Sequence, residues 1–196
     1  MSRLEAFADG VFAIAATLLI LSVDGAVPDP GNLTHAWPSY LAYAVSFVTI
    51  GIMWINHHTV AGLVDRVDQR FMVANVGLLM CIAFVPFPTR LLAEHIRDSS
   101  ARDAALAYGF TLVVTAIFFN AVWFYAAVGR RLLRDDADPR VVAGITRAYI
   151  PGPWIYLGAT LVAFLSSTAS AVLFLVIAAF YIVESSILGG RAQTAD

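Results

Sequence analysis

From Ala104 to Gly129 the chain carries not one charged side chain. The same holds from Gly10 to Val23, Pro38 to Val64, Phe71 to Thr89 and Ala148 to Val183. Runs of this length leave few folds open. About 20 apolar residues cross the hydrocarbon of a bilayer as a helix, and a helix satisfies its own backbone hydrogen bonds in lipid. Of the 196 residues, 60% are hydrophobic and 13% are charged, roughly half the charge of a soluble domain. The charges that remain sit in the short gaps between the runs. The expected fold is therefore all-α, a single integral-membrane domain over residues 1–196 with no room for a separate soluble unit.

Six crossing segments are expected, at residues 6–23, 38–62, 71–92, 104–127, 152–168 and 170–188. One unbroken helix over 152–188 would run about 55 Å, so the small residues Ser166 to Ser170 are expected to form a tight hairpin. The first segment differs from a secretory signal peptide. It has Glu5 and Asp9 on either side of Phe7, and no small-residue cleavage site precedes Asp24-Gly25. Pro86 and Pro88 are expected to kink or end the third helix.

All 12 basic residues are arginine. With the N-terminus inside, nine of them fall on the cytoplasmic side and Arg90, Arg97 and Arg102 on the other, which places both termini in the cytoplasm. The longest connection, Arg130 to Pro151, has the pattern of a short amphipathic helix over 141–149 lying along the inner headgroups, with Arg140 and Arg147 toward anionic lipid. The net charge of −2 gives no sign of a nucleic-acid partner. The lone Cys81 has no partner for an intrachain disulfide and reads as a small packing residue.

Charge at the mouth of a membrane helix is costly and is usually kept for a purpose, which singles out Arg3 and Asp9 before the first apolar run. At about 100° per residue, Ile14, Leu18 and Leu21 form one apolar stripe with Thr17 beside it, and Asp9 projects away from that stripe. Periodicity does not separate a pore seam from an ordinary lipid-facing or core stripe. At the end of the second segment, Trp54, His57 and His58 lie three and four residues apart, close enough to share a face. That end shares the cytoplasmic depth of Asp9, so His57 or His58 with the Trp54 indole is expected to partner the Asp9 carboxylate. A metal site there lacks third and fourth ligands, and a catalytic site lacks a nucleophile. No cofactor and no metal is expected. Asn75, Asn120 and Glu184 are the other polar groups inside the apolar runs.

Together these residues resemble the prokaryotic branch of the potassium channel family named after transmembrane protein 175 of endosomes and lysosomes. The family's first-helix pattern is Arg-x-x-x-Phe-Ser-Asp-x-x-x-Ala. Arg3, Phe7, Asp9 and Ala13 match it, with Ala8 in place of the serine. Trp54-Ile55-Asn56-His57-His58 and Pro86-Phe87-Pro88-Thr89 are the supporting matches. The resemblance implies a homotetramer in a bacterial or archaeal cytoplasmic membrane. First helices surround a central pore permeable to potassium, constricted at Ile14, Leu18 and Leu21 with a Thr17 layer. It also implies that the Arg3, Phe7 and Asp9 motif is knit to Trp54, His57 and His58.

The chain has no Thr-Val-Gly-Tyr-Gly loop to replace an ion's water shell with carbonyls. An apolar ring would act by size and wetting instead. Two other functions stay open on the residues alone. One is a proton-coupled small-solute transporter using Asn120 and Glu184; the other is a membrane enzyme using His57 and His58.

Overall fold

The computed structural model describes the backbone of residues 2–22 and 37–193, and side chains within 3–21 and 39–181. Eight helices make up this part: α1 (Ser2–Leu18), α2 (Trp37–Leu63), α3 (Gln69–Phe84), α4 (Pro86–His95), α5 (Ala101–Ala127), α6 (Pro139–Tyr149), α7 (Gly152–Leu161) and α8 (Ser167–Gln193). Short 3₁₀ turns extend α1 over Leu19–Ser22, α5 over Val128–Arg130 and α7 over Val162–Phe164. The sequence pattern of Asp24 to Trp37, with Pro28, Pro30 and Gly31, reads as an outer turn, and its residues 24–36 lie outside the described residues.

Among the described residues, four stretches are long and apolar enough to cross a membrane: Arg3–Leu21, Ser39–Leu63, Gln69–His95 and Ala101–Arg130. They match the first four expected segments. The fifth falls short, because α7 has 10 residues and spans about 15 Å. Its expected C-terminal end belongs elsewhere. The break falls at Leu165 and Ser166, and Ser167 to Ser170 already form the first turn of α8. Ser166 is the reason: its Oγ accepts the Ala169 N–H at 3.2 Å, capping the new helix as a serine does. Ser170 Oγ then donates to the Ala159 carbonyl at 2.8 Å, pinning α8 to α7.

The third segment bends without ending. Pro86 has no N–H to continue the ladder, so α3 stops at Phe84 and Val85 N–H closes a tighter bond to Ile82 O at 3.1 Å. Val85 keeps helical angles, and α4 resumes with Thr89 N–H on Val85 O at 3.1 Å. The new direction brings Thr89 into a buried hydroxyl cluster. Its Oγ1 donates to Ser46 Oγ at 2.9 Å, and Ser46 Oγ lies 3.1 Å from the Tyr108 hydroxyl. This cluster joins α2, α4 and α5 where apolar side chains alone would supply no direction. Hydrogen bonds between membrane helices contribute about 0.6 kcal/mol on average, so the cluster acts by fixing register.

Small residues set the closest helix approach. A Cβ built at Gly109 on α5 would collide with Thr160 of α7 and lie 2.8 Å from Phe174 of α8. Thr160 is fully buried and branched at Cβ, so it has little room to yield.

A backbone brace closes the end of the bundle where α2 turns into α3. Asp65 N–H donates to Leu132 O and Arg134 N–H to Leu63 O, both at 2.9 Å. This joins the α2–α3 turn to the segment after α5. The chain can turn there because Gly129 adopts φ 64°, a left-handed conformation that glycine takes without steric cost. Arg130, at φ 51°, points its guanidinium at the carbonyls of Arg134 and Ala137, at 3.1 and 3.0 Å. Asp68 finishes the brace. One carboxylate oxygen accepts the Phe71 N–H at 2.8 Å as the α3 cap, and the other accepts the Tyr125 hydroxyl at 2.6 Å. The Tyr125 bond, with help from the cap bond, holds the Asp68 carboxyl below the usual carboxylate range.

Two expectations follow. Gly109→Val should lower stability by about 1–3 kcal/mol, the range for overpacking, read as a drop in the thermal midpoint of the detergent-solubilised protein. A midpoint equal to that of the unsubstituted chain would contradict the close approach. Asp68→Ala should lower the midpoint at neutral pH. A depressed folded pKa contributes stability above the unfolded value of about 3.9 and loses it as pH falls through the folded value. The gap between variant and parent should therefore narrow as pH falls below about 3.9, and a constant gap would argue against the Asp68 contacts.

Candidate functional site

The first helix is held by one side only. Ala8, Phe12, Ala15 and Leu19 recur at helical spacing and are all buried, none above 3% exposed. They pack on α2 and α3, with the 3₁₀ extension against α4. On the opposite side Ile14 is 61% exposed, Leu21 63% and Leu18 42%. Thr17 and Gly10 are exposed there too. Thr17 Oγ1 donates to the Ile14 carbonyl at 2.9 Å, so the hydroxyl proton is used and only its lone pairs face outward. The sequence stripe Ile14, Leu18 and Leu21 is thus a surface stripe of this subunit.

Two clasps attach α1 to the body. In the exposed one, Trp54 Nε1 donates to Asp9 Oδ1 at 2.9 Å, and the His58 ring stacks on Trp54 with centroids 5.8 Å apart. In the buried one, His57 Nε2 lies 3.0 Å from Asn75 Oδ1 on α3. The His57 ring meets Phe12 of α1 at 5.5 Å. Asn75 Nδ2 is already committed to the Phe71 carbonyl at 3.1 Å. Asn75 Oδ1 is therefore the acceptor, and His57 Nε2 carries the proton.

The expected partnership of Asp9 is met by Trp54 alone. Successive residues on a helix diverge by about 100°. His57 turns inward to Asn75, and His58 reaches Asp9 only through the indole. The motif itself divides. Asp9 is engaged, whereas Phe7 is 58% exposed, and Arg3 is exposed with no hydrogen bond or ion pair among the described residues. Ala8, where the resembled pattern has serine, is fully buried.

Asn75 is the residue that sequence reasoning named without a role. The available signal was its buried-side register: Asn75 stands four residues after Phe71 and three before Leu78, both buried. The scaffold engages Asn120 through its amide nitrogen only, and Asn120 Oδ1 is buried without a hydrogen-bond partner among the described residues. Its Nδ2 donates to Ala116 O at 3.1 Å and to Tyr149 O on α6 at 3.0 Å. The side chain of Glu184, its expected companion in a solute site, lies outside the described residues.

Comparison with known proteins finds relatives of this chain. A family model described as the endosomal/lysosomal potassium channel TMEM175 matches residues 3–86, which contain both clasps. A potassium channel of Chamaesiphon minutus is 43% identical over 193 residues, 94% of each chain. A potassium channel of Streptomyces collinus is 49% identical over 152 residues, covering 74% of this chain and 72% of that one. A crystal structure of a lysosomal potassium-selective channel TMEM175 homolog from Chamaesiphon minutus superposes with a TM-score of 0.85 at 41% identity. That match covers 94% of this chain and 97% of the other.

The buried clasp is testable by a double-mutant cycle. His57→Leu alone leaves the Asn75 oxygen buried and unpaired, at a cost of about 1–3 kcal/mol. Replacing both residues with Leu should cost less than the sum of the single changes, with a coupling of about 0.5–3 kcal/mol. Thermal unfolding of the four proteins reads it, and strict additivity would show that His57 and Asn75 do not interact.

Proposed function

This chain belongs to the prokaryotic branch of the TMEM175 family, a family of ion channels rather than enzymes, and from that premise we propose that it is a potassium-permeable leak-type channel. Four copies surround one pore, each lining it with α1. The chain crosses the cytoplasmic membrane of a prokaryotic cell six times, with both termini inside.

The carrying observation is the free face of α1. A helix that crosses a membrane as mere scaffold has no need to be gripped on one side by the Asp9–Trp54 bond and the Phe12–His57 ring contact while Ile14, Thr17 and Leu21 stand open. One helix cannot enclose a water path. Several copies around an axis can, and each then contributes the same exposed stripe. The α1 window is also the least buried of the four crossing stretches, at 22%, which suits a helix whose remaining contacts come from other copies.

The geometry also supports the ion chemistry. Ile14, Leu18 and Leu21 give an apolar constriction that conducts when wide enough to hold water and blocks when it dries. Thr17 offers a ring of hydroxyl lone pairs, because its proton is bonded to the Ile14 carbonyl. Acceptors without protons suit a partly hydrated cation. With no ring of backbone carbonyls, preference for potassium over sodium is modest. Six crossings fit nine arginines on the cytoplasmic side against three outside, with α7 and its 3₁₀ turn as the short one.

Ile14→Asn should raise conductance and weaken potassium selectivity, measured as potassium and sodium flux into liposomes holding the purified protein. Unchanged flux for both ions would remove Ile14 from the constriction.

A further inference from the structure

The connection from Arg130 to Pro151 contains five arginines, and the fold uses three of them internally. Arg130 holds backbone carbonyls. Arg131 lies over the Tyr125 ring at 4.8 Å. Arg134 pairs with Asp136 at 3.0 Å. Arg140 and Arg147 are exposed and make no ion pair among the described residues. They stand seven residues apart on α6, almost in line along the helix. The opposite side of α6, with Val142, Ile145 and Tyr149, packs toward the core.

The position of α6 decides what its arginine side meets. Thr146 Oγ1 accepts the Trp123 Nε1–H at 3.0 Å, and the Tyr149 carbonyl accepts from Asn120 at 3.0 Å. Trp123 and Asn120 lie four and seven residues before the last residue of α5, about 6 and 10 Å up the helix. α6 therefore climbs beside α5 and does not lie beneath it. The chain that follows exposes Ile150 at 54% and Trp154 at 71%, apolar surface that hydrocarbon can cover. Arg147, three residues before Ile150, stands next to Thr146, which is bonded to Trp123 in the last two turns of α5.

We infer that the outward side of α6 is a binding surface for an anionic phospholipid of the adjacent leaflet, with Arg140 and Arg147 holding its phosphate-bearing headgroup. Arginine suits this through its planar set of donors to phosphate oxygens. The Trp123–Thr146 and Asn120–Tyr149 bonds tie the bound lipid to α5. The inference rests on the membrane-crossing arrangement proposed for this chain, and not on which ion it passes.

Native mass spectrometry of the purified protein titrated with phosphatidylglycerol or phosphatidylcholine tests it. Each basic residue near an anionic surface contributes about 1 kcal/mol, so Arg140→Gln with Arg147→Gln should weaken phosphatidylglycerol retention by ~30-fold and leave phosphatidylcholine retention unchanged. Arg140→Lys with Arg147→Lys should keep most of the preference, and Arg102→Gln should keep all of it. Equal retention by the double-Gln variant would overturn the inference, as would an equal loss in Arg102→Gln. Potassium flux in phosphatidylcholine vesicles reports the channel reading separately: loss of flux with the lipid preference intact would count against the channel alone.

Discussion

Everything distinctive about this fold depends on α1 being fixed by half of its surface. Lipid supplies no hydrophobic drive for one apolar helix to prefer another, so association needs close packing and directed polar bonds. α1 has both on one side. Ala8 and Ala15 allow close approach, Phe12 fills the space against His57, and Trp54 reaches Asp9 from α2. The polar bonds give the attachment a single rotation about the helix axis. Turning α1 by even one residue's angle would carry Asp9 away from Trp54 and move Ile14 off the open side.

The second constraint is that the bundle under α1 must itself be rigid. The inner ends of α2 and α5 are bound backbone to backbone through Asp65, Leu132, Leu63 and Arg134. Asp68 links the start of α3 to Tyr125. Farther out, Ser46, Thr89 and Tyr108 connect three helices through hydroxyls. In both places short polar bonds fix a register that greasy, interchangeable surfaces would leave undetermined.

What could be read from sequence divides along the same line. Charge-free runs are a one-dimensional signal, so the first four crossing stretches were legible to within a few residues, as was the amphipathic pattern of α6. The Asp9–Trp54 contact was legible because both ends share a depth and tryptophan offers one donor. The His57–Asn75 bond was not: 18 residues and a turn separate them, and either histidine could have faced Asp9 until the rotation of α2 was known. The break before α8 was misplaced by about two residues, since a run of small polar residues marks a turn without saying which serine caps.

The kink at Pro86 gives the support of α1 two independent members. The inner part leans on α3, through the Phe12, His57 and Asn75 stack. The 3₁₀ extension at its outer end leans on α4. Those two members share an axis break at Val85, where the regular ladder is interrupted. Each end of α1 thus rests on a different helix, and one missing N–H at Pro86 sets the angle between those two supports.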